Sequence, residues 1–527
     1  MSKKHLLYAS LFVILITGCK KNEIGGPSAN VASPGGKGKT SPIMVTSAPQ
    51  LLNLKINGVS AAYDSSSVSY YYPVPVGASL ANYIVSFDTT AATYILINDV
   101  KVKNNSTVSS ALTTNQTLVV KAVNSLNQIA SYDFVVTGLP IVQLKAGAKI
   151  GDTRIAGVFD LVNPDYQAQG SKAEISSNIM ISIRGGTSRY FPKSSYSVHM
   201  VDTSGNDTNV SLMGLRNDNN WILDAMYIDQ ARMRNRLCTD IWNSYNNVPH
   251  IASEPTALNG TRGYMAEVFL NEHYAGVYCL TEKLDRKQLQ VKKQYGDMYK
   301  ADFWTDQTDF SGAIPFDNTS GTWGGWELEY PGIGDTPAPN WSYLSNIVNY
   351  IATSTDADFA ANINSKVDIN NMVDYFIFIN MLDAADNENK NTFFSFYDYR
   401  SAPSFFYSPW DLDGTMGRNA GGTYKDHEII GANNNNLLQR LLNLNVGGFK
   451  DLLKARWNSL RNNQFSKTTV GNRIEGYRKV LVNTNAITRE RAVWTNITQD
   501  LNTETAYMTT WYGAQYDLFD TYINNLQ

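Results

Sequence analysis

The chain has 527 residues, enough for several domains and a large core. Charged residues make up 17% and the formal net charge is -3, which argues against a nucleic-acid-binding surface and against a strongly anionic protein. Three cysteines are too few for a disulfide framework.

Lys3, Lys4 and His5 open the chain as a basic stretch, and Leu6 to Ile16 follows as an apolar run of signal-peptide length. That run is too short to span a bilayer as a stable helix. Ile16-Thr17-Gly18-Cys19 comes next and resembles the lipobox of bacterial lipoproteins, in which cleavage before the cysteine leaves it acylated. The resemblance implies that residues 1–18 are a signal peptide and that Cys19 is the lipidation site. It also implies a membrane anchor and an extracytoplasmic position on the cell envelope, at the outer membrane or the cell surface. Acyl chains on one residue hold firmly, because each buried methylene adds about 0.8 kcal/mol. Residues 19–49 are rich in Gly, Ser, Pro and Lys and read as a flexible tether.

Residues 50–138 contain short runs rich in β-branched and aromatic residues, separated by Asn, Asp, Gly and Ser turns. This rhythm predicts a β-sandwich of immunoglobulin-like size, with residues 117–123 and 131–137 as a closing hairpin. It holds no catalytic cluster and reads as a spacer or contact module.

From Leu139 to Gln527 the pattern is α+β, mostly strands first and mostly helices later. Residues 181–202 read as strand, glycine loop, strand, with Arg184, Gly185, Gly186, Thr187 and Ser188 in the loop and Lys193 opening the second strand. Backbone N–H groups and hydroxyls in such a loop approach phosphates closely, and a lysine adds a point charge. Gly-Gly turns are also common without any ligand. Residues 228–245 predict a helix with Met233, Leu237, Ile241 and Trp242 on one face and Asp229 as its cap. Arg232, Arg234, Asn235, Arg236 and Asp240 are expected mostly on the solvated side. Residues 263–287 predict a hairpin turning at Asn271-Glu272-His273, with His273 in solvent and Glu282 and Lys283 ending the second strand. Cys238 and Cys279 are left as either a disulfide pair or buried free thiols. Residues 303–340 read as a long loop whose Trp304, Trp323, Trp326 and Tyr330 offer an aromatic surface or pack on the domain. Asp368 caps a helix through residue 384 that delivers the chain to Asp386. Helices close the chain after residue 437.

The acidic stretch 386–417 carries the chemistry. Asp386, Asn387, Glu388, Asn389 and Asn391 form one cluster, Asp411 and Asp413 a second, and two strands rich in Phe, Tyr and Ser lie between. An aspartate with an asparagine five residues on, a strand pair and a second acidic turn is the layout of a phosphoryl-transfer site. Two polar loops at strand ends are the plainer reading of spacing alone.

Six motifs in order settle the preference. They are Arg184-Gly185 through Phe191-Pro192-Lys193-Ser194-Ser195-Tyr196, Asn219 through Leu223, the Arg-x-Arg-Asn run at 232–235, residues 268–283, Asp386 with Asn391, and Pro409-Trp410-Asp411-x-Asp413. Together they resemble the CotH kinase family over roughly residues 139–420. The resemblance implies an atypical protein-kinase-like fold, with a mixed β N-lobe and a mainly α C-lobe, preceded here by the small all-β sandwich. It implies transfer of the γ-phosphoryl of ATP to Ser or Thr of a protein with Mg2+ or Mn2+. Carried over by position, Asp386 resembles the catalytic aspartate, Asn391 a metal-binding asparagine, and Asp411 and Asp413 the acidic turn of which one or the other is the direct metal ligand. Arg184, Ser188, Lys193, Glu282 and Trp410 border the nucleotide. Asp240 is the expected carboxylate partner of the lysine. The chain departs from the family's usual pattern at Lys193-Ser194, where paired lysines are common, and at the Gly-Gly-Thr-Ser loop. The alternative is a surface protein that binds a glycan or coat protein on a kinase-like scaffold without transferring phosphate.

Overall fold

A computed structural model of the protein describes residues 47–401 and 404–527, and residues 48–527 form one compact unit. Cys19 and the expected signal peptide lie outside the described residues.

The alternating strands of residues 50–137 form two facing sheets. One has four strands, Val59–Ser60, Gln50–Ile56, Ser79–Thr90 and Ser106–Thr113 in that order. The other has six, running Ala62–Asp64, Ser69–Pro73, Ile129–Thr137, Thr117–Val123, Tyr94–Ile97, Val100–Val102. The expected closing hairpin is present, with Val119 opposite Asp133. Inward residues such as Leu54, Tyr83, Val85, Val120 and Val136 fill the space between the sheets.

The strands of residues 141–282 do not stop at an open sheet. Seven of them close into a barrel in the order Ile141–Ala146, Ile155–Val162, Glu174–Arg184, Ser195–Val201, Asn220–Asp224, His273–Glu282, Gly263–Leu270. Parallel pairing of Ile141–Ala146 with Gly263–Leu270 makes the closure. Closure removes exposed edges, and period-two alternation sends Val142, Leu144, Phe159, Ile181 and Val198 inward. Asn271 and Glu272 both take positive φ, 48° and 62°, which suits a tight hairpin turn.

The sandwich is bound to the barrel at that hairpin. Tyr71 lies 5.1 Å from the Phe269 ring and stacks 6.0 Å from Tyr274. His273 is exposed as expected, yet its Nδ1 also lies 2.8 Å from Ser66 Oγ.

The rest of the chain builds a five-stranded sheet, ordered Thr322–Trp323, Trp326–Tyr330, Asp297–Ala301, Thr392–Phe396, Phe405–Pro409, with helices around it. The observed architecture is therefore mixed α+β: N-terminal sheets, a seven-stranded barrel and a helical C-terminal part. The helix Ile369–Leu382 is almost entirely buried, and Asp368 caps it by accepting the Asn371 N–H at 2.8 Å. In the 303–340 segment Trp323 and Trp326 pack inside, while Trp304 stays exposed. Cys238 and Cys279 are free and buried, so the disulfide option falls away. Among the described residues no helix is long and apolar enough to cross a membrane.

The helix Arg234–Asn243 corrects one expectation. Arg232, Arg234 and Arg236 are buried, not solvated. Each guanidinium has found an internal partner: Arg232 pairs with Glu490, Arg234 with Asp229 and Glu504, and Arg236 with Asp240. Buried charge survives only where such partners exist, and sequence periodicity cannot show Glu490 and Glu504, 258 and 270 residues from Arg232 and Arg234.

Candidate functional site

The helix Ile369–Leu382 stops at Asp383, which adopts a left-handed conformation, and the chain enters a single turn, Ala385–Glu388. Asp386 sits on this turn with its side chain 27% exposed and Lys390 Nζ 3.4 Å away. The turn is fixed from below. Tyr375 donates its hydroxyl to the Asn387 carbonyl at 2.6 Å, and the buried Glu388 carboxylate accepts the Asn434 amide side chain at 2.6 Å.

The two acidic clusters meet because the strands between them pair. Thr392 lies opposite Pro409 in the antiparallel ladder Thr392–Phe396 with Phe405–Pro409. This brings Trp410 beside Asn391, and the Trp410 N–H donates to the Asn391 carbonyl at 2.9 Å. Asn387 clamps both loops, donating to the carbonyls of Asn391 at 2.7 Å and Trp410 at 2.8 Å. Asn391 and Asp411 both hold positive φ, 52° and 57°. For residues with a side chain this region is costly, and it persists where surrounding bonds impose it.

Asp411 is exposed at the turn and Asp413 is half-buried. Loss of hydration, then the charge of Asp224, raises its carboxyl above the usual range; Arg184, Lys300 and Lys390 pull it back. Asp413 is raised well above its usual value by burial and then by the charges of Asp411, Asp224, Asp229 and Asp386. Asp224 was not expected from the sequence. It ends the strand Asn220–Asp224 and accepts Asn235 Nδ2 at 2.9 Å, while Asn235 Oδ1 accepts the Leu412 N–H at 3.1 Å. Its only sequence signal was an acidic residue at the end of an apolar strand.

Repelling carboxylates with an adjacent carboxamide make an all-oxygen donor set that suits a hard divalent cation. Among the described residues no three His, Cys, Asp or Glu side chains close around one point. Magnesium sites of nucleotide enzymes commonly use one or two carboxylates with substrate phosphates, and Asp411 and Asp413 offer oxygen donors of that kind.

The glycine loop follows Arg184, which reaches Trp410. Gly185 has φ +113°, and a Cβ there would meet Ser188 Oγ at 2.0 Å, so only glycine fits. Arg184, at the end of its strand, places its guanidinium 5.5 Å from the centre of the Trp410 ring. Arg184, Ser188 and Trp410 are partly buried.

Lys193 and its expected partner lie differently. Lys193 does not open a strand; the strand starts at Ser195. Its ammonium is sealed in the protein, 2.7 Å from Glu490 Oε1 and bonded to the Val277 carbonyl, with neither charged side chain exposed. Burial pushes the Lys193 ammonium down to about 8, against the opposing pull of Glu490. Glu490 also takes Arg232 Nε at 2.7 Å and the Val277 N–H at 2.7 Å. The carboxylate beside Lys193 is thus Glu490, and Asp240 is occupied by Arg236 and the Tyr477 hydroxyl. Glu490 belongs to a helix almost 300 residues downstream, which spacing along the helix 234–243 could not reveal. Glu282 is fully buried and accepts donors from Arg216, Arg262 and Gln288, which hold its carboxyl below the usual range despite burial.

The acidic turn is braced from behind. Arg234 donates to the Thr415 carbonyl at 3.1 Å and pairs with Asp229 and Glu504, while Arg418 pairs with the other oxygen of Glu504. A separate polar cavity of about 310 Å³, bordered by Asn243, Asn246, Arg456 and Asn463, contains none of the carboxylates of the two acidic turns.

A strand barrel, a five-stranded sheet and a helical part make up the protein around the two acidic turns. Residues 181–518, more than half of the chain, match the model of the CotH kinase protein family, and the chain belongs to that family. Membership of a kinase family implies use of ATP. No curated protein matches the chain.

Proposed function

We propose that this protein is a lipid-anchored, extracytoplasmic atypical kinase that transfers the γ-phosphoryl of ATP to Ser or Thr of an exported or surface protein. The observation that carries this reading is membership of the CotH kinase family together with the Asn387 clamp, which bonds the Asn391 and Trp410 carbonyls and so joins the Asp386–Asn391 turn to the Asp411–Asp413 turn.

In this reading the acceptor hydroxyl oxygen attacks the γ-phosphorus, the bond to the β–γ bridging oxygen breaks, and ADP leaves. Asp386, accessible at its turn, takes the hydroxyl proton. Asn391, Asp411 and Asp413 are the residues that would hold Mg2+ or Mn2+, which when bound neutralises charge on the β- and γ-phosphates. Arg184 and Ser188 border the phosphates beside Trp410. Glu490, Arg232 and Lys193 fix the barrel against the C-terminal helices. The Cys19 anchor would hold the site outside the cytoplasm, so ATP has to be supplied there.

The test is transfer of labelled phosphate to a Ser- and Thr-containing protein with magnesium or manganese. Wild type is expected to transfer and Asp386→Ala to fail. Undiminished transfer by Asp386→Ala would sink the assignment, and wild type that binds ATP but never transfers would leave a binding protein.

A further inference from the structure

The sealed position of Lys193 leaves open which lysine meets the nucleotide. Its ammonium is wholly buried and already bonded to Glu490 and to a backbone carbonyl. Reaching a ligand would mean breaking a buried ion pair.

Lys300 lies on the strand Asp297–Ala301, in the middle of the five-stranded sheet. Strand alternation puts Lys300 on the same face as Met298, and the ladder sets it opposite Phe393. Phe393 meets the Trp410 ring edge-on at 6.0 Å, and Arg184 lies over the same ring. Met298 and Phe393 belong to one apolar cluster against which Trp410 packs. Sheet and barrel therefore bring one cation each to the surroundings of Trp410, and both act on Asp411. The Lys300 side chain is 17% exposed and held by Asp302 at 3.0 Å and Glu327 at 3.6 Å, two carboxylates that are themselves 36% and 48% exposed. Such partners aim an ammonium without sealing it.

We propose that Lys300 contacts the phosphate groups of the nucleotide, the role that the motif position of Lys193 suggested for that residue. This assignment rests on the kinase reading of the site. It assigns Lys193 a structural part as the buried partner of Glu490.

The test is titration of ATP with magnesium, and separately of adenosine, into wild type, Lys300→Ala, Lys300→Gln and Lys300→Arg, followed by calorimetry. Loss of one charged hydrogen bond to phosphate should weaken ATP binding of the Ala and Gln variants roughly tenfold to a hundredfold. Adenosine affinity and melting temperature should stay at the wild-type values, and Lys300→Arg should recover most of the loss. Unchanged ATP affinity in both neutral variants would overturn the assignment. So would equal losses for ATP and adenosine, which would mark Lys300 as structural. A wild-type protein that binds no ATP would overturn the kinase reading, and this assignment with it.

Discussion

Lys193 and Glu490 lie 297 residues apart and form a fully buried ion pair, Nζ to Oε1 2.7 Å. Glu490 also bonds Arg232 and the Val277 N–H, and Gly276 makes room for it: a Cβ on Gly276, whose φ is +101°, would meet Glu490 Oε2 at 2.1 Å. One carboxylate thus ties the glycine-loop segment, the arginine-rich segment and the barrel hairpin to the C-terminal helices.

Replacing Glu490 by Ala strands two buried cations, so the expected loss is about 3–5 kcal/mol. Lys193→Met removes one cation and leaves Glu490 paired with Arg232, so its loss should be clearly smaller. Urea unfolding of both variants decides this; equal losses would mean that the pair does not act as described.

The pH dependence of stability should carry the mark of Asp297. Burial raises its carboxyl from 3.8 to about 7, even though Tyr299 donates its hydroxyl at 2.7 Å. The native protein therefore keeps a proton that the unfolded chain releases near pH 4. Its contribution is complete below that pH and disappears as pH rises through about 7. Asp297→Asn should gain on wild type between pH 4.5 and 8, by roughly 3 kcal/mol over that range. A difference that stays flat over this range in thermal unfolding would refute the shift.

At the second acidic turn, Asp413→Asn removes one of several repelling carboxylates. Without divalent ions the variant should be more stable than wild type at neutral pH. With magnesium and ATP the order should reverse, because wild type gains binding energy that the variant lacks. Melting curves with and without a chelator measure both halves, and equal magnesium responses would exclude Asp413 from the metal side.

The sandwich should fail together with the barrel and not as a free domain. Tyr71 is buried between Phe269 and Tyr274, so Tyr71→Ala is expected to cost about 3 kcal/mol and to open residues 138–140 to protease. Unchanged cleavage rates would show that the contact contributes little.

Much of this protein is local and was legible along the chain. Alternation marked the strands of the sandwich and barrel, Asp368 marked a helix start, and the short spacing from Asp386 to Asn391 and from Asp411 to Asp413 marked the acidic site. Those signals depend on neighbours within a few residues, which period and capping report directly.

Partnership across the fold was decided only by tertiary structure. Closure of the barrel depends on Ile141–Ala146 pairing with a strand about 120 residues away. Arg232 and Arg234 read as surface residues because nothing nearby offers enough carboxylates, yet Glu490 and Glu504 arrive from the C-terminal helices and make burial affordable. Likewise Lys193 is sealed against Glu490, while Lys300 stays partly exposed between Asp302 and Glu327. A charge shows its type in the sequence, but whether it is sealed or presented depends on which opposite charge the folded chain brings to it.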